Sequence, residues 1–344
     1  MTVLDLALAN LLSPAILCFA LGAFAVMLRS DLQLPEPVFA AISIYLMLAI
    51  GLKGGVELAD RSLSELAAAV AAALALGCAI PLWCYAMLRL WAGLGTADAA
   101  ALAAHYGSVS AVTFAAVVSL LDRQGTPYEG YAPALLALME VPAIVVALGL
   151  AGAARLATPV VPAGGGVATL EGGPGFSAFG GNRMAAVLGE VLSSKSIVLL
   201  AGGLLIGALA GQAGMAKVKP FFVDLFQGML CLFLLELGRL AASRAGDFRQ
   251  VGLKLAAFAI VAPVLHGLLG IAAAHAAGLS QGGAVILGTL AASASYIAAP
   301  AAVRLALPEA NPGYYLTCSL ALTFPFNMVL GIPIYAAMAG WIYG

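Results

Sequence analysis

Two short stretches place hydroxyl side chains among small residues inside otherwise apolar runs. The first is GSVSAVTFAA at 107–116, and the second is AASASYIAAP at 291–300. The serines and Pro300 disfavour an unbroken helix. Where a helix is interrupted, its second half begins with unpaired N–H groups and with the positive end of the helix dipole. Two such ends that meet would bind an anion without a buried lysine or arginine.

We therefore predict that the two stretches form the two sides of one anion-binding site. The alternative is that the small residues only allow close helix packing, as small-xxx-small pairs do. The matching positions of the stretches in the two halves of the chain, described below, favour a binding site in a transporter. The candidate substrate-binding residues are Ser108, Val109, Ser110, Ala111, Thr113, Ala292, Ser293, Ala294, Ser295 and Tyr296.

Three polar residues inside apolar runs are candidates for a cation site or for coupling to a second ion. Glu140 is the acidic candidate, and the alternative for it is a structural contact between helices. Lys53 would supply a fixed positive charge, unless its side chain extends to water from the end of its helix. Asn327 would lend a carbonyl oxygen to an ion, or would bond a neighbouring helix. We expect no metal site beyond this candidate cation site.

The remaining titratable residues favour structural roles over catalysis. Glu236 precedes Arg239 by three residues, which is the spacing of a local ion pair on one helix face. His105 and His266 fit hydrogen bonds to neighbouring helices better than a proton-sensitive site. The sequence has no nucleophile–His–acid pattern, no phosphate loop and no paired cysteine spacing of a metal site. We therefore expect a protein that is not an enzyme and that has no cofactor other than a bound cation.

The composition places the helices that carry these residues in a lipid bilayer. Of the 344 residues, 63% are hydrophobic and 9% are charged, whereas a soluble domain has about 25% charged residues. The net charge of −1 gives no reason to expect a nucleic acid partner. At about 20 residues per span, we predict an all-α membrane protein with ten transmembrane helices. The apolar runs are 11–28, 37–56, 66–92, 98–121, 131–154, 187–211, 220–241, 251–276, 282–307 and 315–341.

The ten runs form two halves of five around a segment rich in glycine and proline. Residues 1–157 are predicted to be a first repeat, 158–186 a linker, and 187–344 a second repeat. Because five is odd, the second half enters the membrane from the opposite side, so the repeat is inverted and its two broken helices meet at mid-membrane. Matching pairs at an offset near half the chain are Pro37 and Pro220, Gly55 and Gly238, Arg61 and Arg244, Ser108 and Ser293, and Pro142 and Pro325.

The basic residues predict the orientation of the chain in an inner membrane. With both termini outside, most of the arginines and lysines near helix ends fall on the cytoplasmic side, together with the linker. This distribution is the one that the positive-inside rule requires. We therefore predict a multi-pass protein of the plasma membrane with both termini outside.

Sequence blocks along nearly the whole chain resemble the sodium-dependent bicarbonate transporters of cyanobacteria. The resemblance implies ten helices in a five-plus-five inverted repeat, a core module that carries the broken helices, and a gate module. It also implies a homotrimer, import of bicarbonate with sodium, and inhibition by a small PII-like protein from the cytoplasm. The blocks are IGLKGG (50–55), GSVSAVTFAA (107–116), YEGYAPAL (128–135), MEVPA (139–143), SRAGDFR (243–249), APVLHG (262–267), AASASYIAAP (291–300) and NPGYY (311–315).

The chain departs from this family in both broken helices. The family pattern Ser-Ser-Ser-Asp-Ile-Ser is Ser-Ala-Ser-Tyr-Ile-Ala at 293–298, so Tyr296 replaces an acidic residue. The pattern Val-Ser-Gly-Ser-Thr is Val-Ser-Ala-Val-Thr at 109–113, and Lys53 replaces a threonine. A carboxylate is a strong ligand for sodium, and a neutral tyrosine is a weaker one. We therefore hypothesise that sodium coupling is weakened or lost, with Lys53 or Glu140 in its place.

The sequence thus predicts a secondary transporter of bicarbonate that works by an elevator or rocking motion. Two alternatives stay open. One is a carrier of the same fold for another small anion, either proton-coupled through Glu140 or uncoupled. The other is a membrane sensor that does not transport and that binds a PII-like partner through the loops near Arg244 and Arg249.

Overall fold

The computed structural model describes residue 8 and residues 10–59, 61–157 and 180–344, and these residues form helices and no strand. π-helical stretches occur at Leu88–Ala92, Pro220–Asp224, Thr317–Thr323 and Asn327–Gly331. The helices are α1 Pro14–Met27, α2 Glu36–Ala59, α3 Leu63–Met87, α4 Thr96–Gly107, α5 Ala111–Gln124, α6 Ala132–Ala157, α7 Gly180–Leu192, α8 Lys195–Lys219, α9 Phe226–Ser243, α10 Phe248–Ala276, α11 Gln281–Ala292, α12 Ala299–Ala306 and α13 Pro312–Tyr343.

Seven helical segments in the described part of the chain are long and apolar enough to cross a membrane. One of them, Lys195–Ser243, contains two of the predicted runs, because α8 and α9 are joined by the π-helical stretch. The shorter apolar helices α1 and α11 account for two further runs. The structure is therefore that of an all-α membrane protein, and the number of ten crossings stays a prediction.

Helices α2 and α8 cross at closely approaching backbones. A Cβ atom at Gly55 would collide with the carbonyl oxygen of Leu204, and one at Gly207 would collide with that of Leu52. Only glycine leaves room for this approach, which is a common way for helices to associate in lipid. The order of the contacts, with Gly51 near Gly203 and Gly55 near Leu204, shows that α2 and α8 run parallel.

Helices α1 and α9 repeat the same crossing. A Cβ atom at Gly238 would collide with the carbonyl oxygen of Phe19, and one at Gly22 would collide with that of Leu235. Each of these residues lies about half a chain from its counterpart in the first crossing. The counterparts are Gly238 and Gly55, Phe19 and Leu204, Gly22 and Gly207, and Leu235 and Leu52.

The counterpart helices α2 and α9 run in opposite directions. Gln227 at the start of α9 lines the same pocket as Lys53 near the end of α2. Near the other end of α9, Glu236 accepts a hydrogen bond of 3.0 Å from the N–H of Leu34, which precedes α2. Opposite directions of equivalent helices are what an inverted repeat requires. The predicted ion pair on α9 is confirmed, with Arg239 Nε 2.9 Å from Glu236 Oε1.

The region before α8 differs from the sequence prediction. Residues 158–179 of the predicted linker lie outside the described residues, but 180–186 belong to helix α7 rather than to a loop. The sixth apolar run is also shifted, because α8 begins only at Lys195. Ser194 sets this start by accepting a hydrogen bond of 3.4 Å from the N–H of Ile197. Helix α7 instead packs against α12.

Candidate functional site

Both predicted helix interruptions are present, one between α4 and α5 and one between α11 and α12. A serine hydroxyl in each interruption bonds the helix that follows. Ser110 Oγ accepts a hydrogen bond of 3.2 Å from the N–H of Thr113, and Ser295 Oγ accepts one of 3.2 Å from the N–H of Ala299. Each serine thus satisfies an N–H group in the first turn of the following helix, and Ser110 does so as the N-cap of α5.

The two interruptions contact each other directly. The N–H of Ser110 donates to Ser293 Oγ at 2.9 Å, and that hydroxyl donates to the carbonyl of Leu290 at 2.7 Å. In the other direction, the N–H of Ser295 donates to the carbonyl of His105 at 2.8 Å. These bonds satisfy backbone groups that the interruptions remove from helical pairing, as an apolar environment requires. The two segments are therefore held together as one structure.

A small cavity lies where α5 and α12 begin. Its wall combines the two interruptions with side chains from α2, α6 and α8. Helices α2 and α8 belong to the group α1, α2, α8 and α9, which pack mainly on one another; we call this group the four-helix unit. The cavity lies between this unit and the helices that carry the interruptions. Its lining residues are Met47, Val109, Ser110, Ala111, Glu140, Ser196, Ser295, Tyr296, Ile297 and Ala298.

The starts of α5 and α12 direct the positive ends of their helix dipoles toward the cavity. Helix α5 begins at Ala111 in the cavity wall, where the N–H groups of Ala111 and Val112 have no acceptor within the helix. Helix α12 begins one residue beyond the wall, but its first N–H, at Ala299, is bonded to Ser295, and Pro300 has no N–H. The α12 end therefore contributes its dipole more than free donors. Together the two ends favour a small anion.

Half of the predicted substrate-binding residues line the cavity, and the others are buried without lining it. Those in the wall are Val109, Ser110, Ala111, Ser295 and Tyr296. The others are Ser108, Thr113, Ala292, Ser293 and Ala294. Their contacts are structural ones: Ser108 Oγ, for example, donates to the carbonyl of Glu140 at 3.2 Å. The role of the wall residues in binding a substrate stays a prediction.

Tyr296 joins the two interruptions inside the cavity. Its hydroxyl accepts a hydrogen bond of 3.4 Å from Ser110 Oγ, and its ring packs edge-on against Phe324 with centroids 5.2 Å apart. The ring fills space between the half-helices, and the hydroxyl remains in the wall of the cavity. The residue thus gives the site a neutral donor and acceptor.

Glu140 is the only charged side chain among the described residues that line the cavity. Its side chain is buried, with the residue 3% exposed, and its Oε2 has no hydrogen-bond partner among the described residues. An unpaired carboxyl group in a membrane interior is costly and usually functional. The cavity is the place where such a group reaches a small ligand or a proton.

Asn327 lies outside the cavity and is fully engaged by the protein. Its Nδ2 donates to the carbonyl of Ala292 at 2.9 Å, and its Oδ1 accepts a hydrogen bond of 2.8 Å from the Tyr335 hydroxyl. The side chain therefore links α13 to the end of α11. Of the two roles considered for Asn327 from the sequence, the contacts are those of a bond to a neighbouring helix.

Lys53 also lies outside the cavity, in a larger pocket of about 600 Å³ that we call the vestibule. Its Nζ donates to the Tyr128 hydroxyl at 3.0 Å and lies 3.6 Å from Asp122 Oδ2, and Tyr128 donates to Asp122 Oδ1 at 2.9 Å. About half of the Lys53 side chain is exposed. Burial raises the pKa of Tyr128 above its ordinary value, although Lys53 opposes the shift, so the phenol stays protonated at neutral pH.

The vestibule and the cavity follow one another along the same two helices. On α2, Lys53 lines the vestibule and Met47 lines the cavity, six residues away and thus about 9 Å along the axis. On α5, Asp122 and Phe114 line the vestibule and Ala111 lines the cavity. The vestibule therefore leads from one end of these helices toward the site, and Lys53 is too far along α2 to serve as a fixed charge within it.

Four residues of the cavity wall were not predicted from the sequence. Ile297 and Ala298 continue the second interruption beyond Tyr296. They could have been predicted, because Pro300, which disfavours an unbroken helix, follows them directly in the sequence. Ser196 is a hydroxyl residue near the start of an apolar run and could have been noticed. Met47 carries no such signal, because it is an apolar residue in an apolar helix.

A model of the Na⁺-dependent bicarbonate transporter superfamily matches residues 14–340. The matched range begins with α1, ends within α13, and contains both interruptions, Glu140 and Lys53. A search among proteins of curated function finds no match to the chain.

Proposed function

The chain belongs to the Na⁺-dependent bicarbonate transporter superfamily, and we propose that it imports bicarbonate by binding the anion in the cavity between the two helix interruptions. The observation that supports this proposal most directly is that a small cavity lies where two half-helices begin. The N–H group of Ala111 and the hydroxyls of Ser295 and Tyr296 provide donors for the oxygens of bicarbonate. The reaction is transport, with no covalent chemistry.

The position of the cavity between two groups of helices supports an alternating-access mechanism. Met47 and Ser196 close the cavity from the four-helix unit, and the remaining wall belongs to the helices with the interruptions and to α6. A rocking or elevator movement of one group against the other would expose the site to either side in turn.

We also propose the ten-span inverted repeat, which the matching glycine crossings and the opposite directions of α2 and α9 support.

The assembly and the orientation are proposals that rest on the family resemblance and on the charge pattern. We propose a homotrimer in the inner membrane with both termini outside. We also propose that a small PII-like protein binds at the cytoplasmic face. The family membership itself makes the chain a multi-pass membrane protein that handles a small anion.

We expect labelled bicarbonate to enter proteoliposomes that contain the protein at a rate that depends only weakly on an inward sodium gradient. The reason is that Tyr296 stands where the family pattern has an acidic residue, so this position of the cavity wall offers a neutral hydroxyl in place of a carboxylate ligand for sodium. The measurement is the initial uptake rate with and without sodium, with protein-free liposomes as the control. Absence of uptake in both conditions would overturn bicarbonate transport. Uptake that rises steeply with sodium would keep transport and overturn the weakened coupling.

Lys53 and Asp122 connect the four-helix unit to the end of the interrupted helix α5, so we expect them to influence the rate of transport. An ion pair of this exposure contributes about 0.2–1 kcal/mol, which corresponds to a rate change of up to about fivefold. Lys53→Glu and Asp122→Lys should each alter the uptake rate, and the double variant should restore it. Additive effects in the double-mutant cycle would show that the two residues are not coupled.

A further inference from the structure

Glu140 is placed where its charge acts on whatever the cavity holds. It lines the same small cavity as Ser110 and Tyr296, it is 3% exposed, and its Oε2 has no protein partner among the described residues. No cationic side chain occurs among the described lining residues. An ionised Glu140 and a bound anion would therefore repel each other in a poorly solvated space, with no positive side chain between them.

No described titratable group on the helices packed against α6, including α3, which packs on it most extensively, lines the cavity. Among the described lining residues, Tyr296 is the only other titratable one. On α4, His105 Nδ1 bonds the carbonyl of Ala101 at 2.7 Å while its Nε2 has no partner among the described residues, and Tyr106 bonds Thr323 at 2.6 Å. Lys53 on α2 is paired with Asp122. Lys195 on α8 is exposed, and Arg304 on α12 does not line the cavity. A proton on Glu140 is therefore the available means to remove the repulsion.

We propose that Glu140 takes up one proton when the anion binds and releases it with the anion on the other side of the membrane. This step rests on the proposed transport of bicarbonate. The proton comes from water on the side of binding, the neutral carboxyl group donates a hydrogen bond to the anion, and both leave together. One proton and one bicarbonate carry no net charge, so the transport cycle is electroneutral without sodium.

The test is uptake of labelled bicarbonate into sodium-free proteoliposomes whose membrane potential is set by potassium and valinomycin. Wild-type uptake should not change with potential. Glu140→Gln cannot carry the proton, so each bicarbonate that it transports should move one negative charge across the membrane. Its uptake rate should therefore change by up to about tenfold for each 60 mV of membrane potential. Glu190→Gln, at an exposed carboxyl on α7, is the matched control and should behave as the wild type does.

A second measurement keeps the test decisive if Glu140→Gln does not transport. Calorimetric titration of purified protein with bicarbonate, in two buffers of different ionisation enthalpy, should show about one proton taken up per anion by the wild type and none by Glu140→Gln. Uptake that depends on sodium or on potential in the wild type, or binding without proton uptake, overturns the proton step and leaves transport intact. Absence of both uptake and binding of bicarbonate overturns the proposed function and the proton step together.

Discussion

Replacement of Ala298 by leucine is expected to reduce bicarbonate uptake to the level of protein-free liposomes. Ala298 lines the cavity and is 7% exposed. Leucine adds three carbon atoms to a small cavity, and the close-packed side chains around it cannot accommodate them without displacing the substrate or the wall. The measurement is the initial uptake rate in proteoliposomes at matched protein content.

The matched control for this change is Ala301→Leu on α12. Ala301 lies three residues further along and is exposed on the surface of the chain. The same three carbon atoms there should leave uptake near the wild-type rate, because they meet no packed neighbour. If Ala298→Leu transports as well as Ala301→Leu does, the cavity is not on the path of the anion.

Replacement of Gly238 by alanine is expected to destabilise the protein by about 1–3 kcal/mol or more. The new Cβ atom would collide with the carbonyl oxygen of Phe19, a backbone atom of α1. A backbone atom cannot turn away as a side chain can, so α1 and α9 must separate. The measurement is the thermal unfolding midpoint of the purified protein in detergent.

Gly228→Ala is the control for this prediction, because Gly228 lies on the same helix α9 and its added Cβ would meet nothing within 4 Å. There alanine should be neutral or stabilising, by up to about 1 kcal/mol, because alanine is the better helix former. Equal unfolding midpoints of the two variants would show that the close crossing of α1 and α9 does not contribute to stability.

The sequence was sufficient to locate both interruptions of the site. Serines at 108–110 and 293–295 and a proline at 300 act locally, on the turn in which they stand, so their effect can be predicted without knowledge of the neighbours. The equivalence of Gly55 and Gly238 was likewise visible as a match of position. The sequence did not show which carbonyl groups on other helices these glycines approach.

What could not be predicted depends on contacts between distant segments. Ser196 and Met47 complete the cavity only because α2 and α8 pack beside the interruptions. The environment of Lys53 is set by Asp122 and Tyr128, which come from the end of α5 and the following loop. The sequence left open whether the Lys53 side chain extends to water. In the structure it is half exposed and paired with Asp122 in the vestibule, an arrangement that depends on tertiary packing.

The most direct test of the central claim is a high-resolution structure of the protein in lipid nanodiscs equilibrated with bicarbonate. We expect a small planar density in the cavity, within hydrogen-bonding distance of Ser110 and the N–H groups of Ala111 and Val112, and no such density in Ala298→Leu. Density for the anion in the vestibule beside Lys53, with none in the cavity at saturating bicarbonate, would contradict the claim that the two half-helix ends form the binding site.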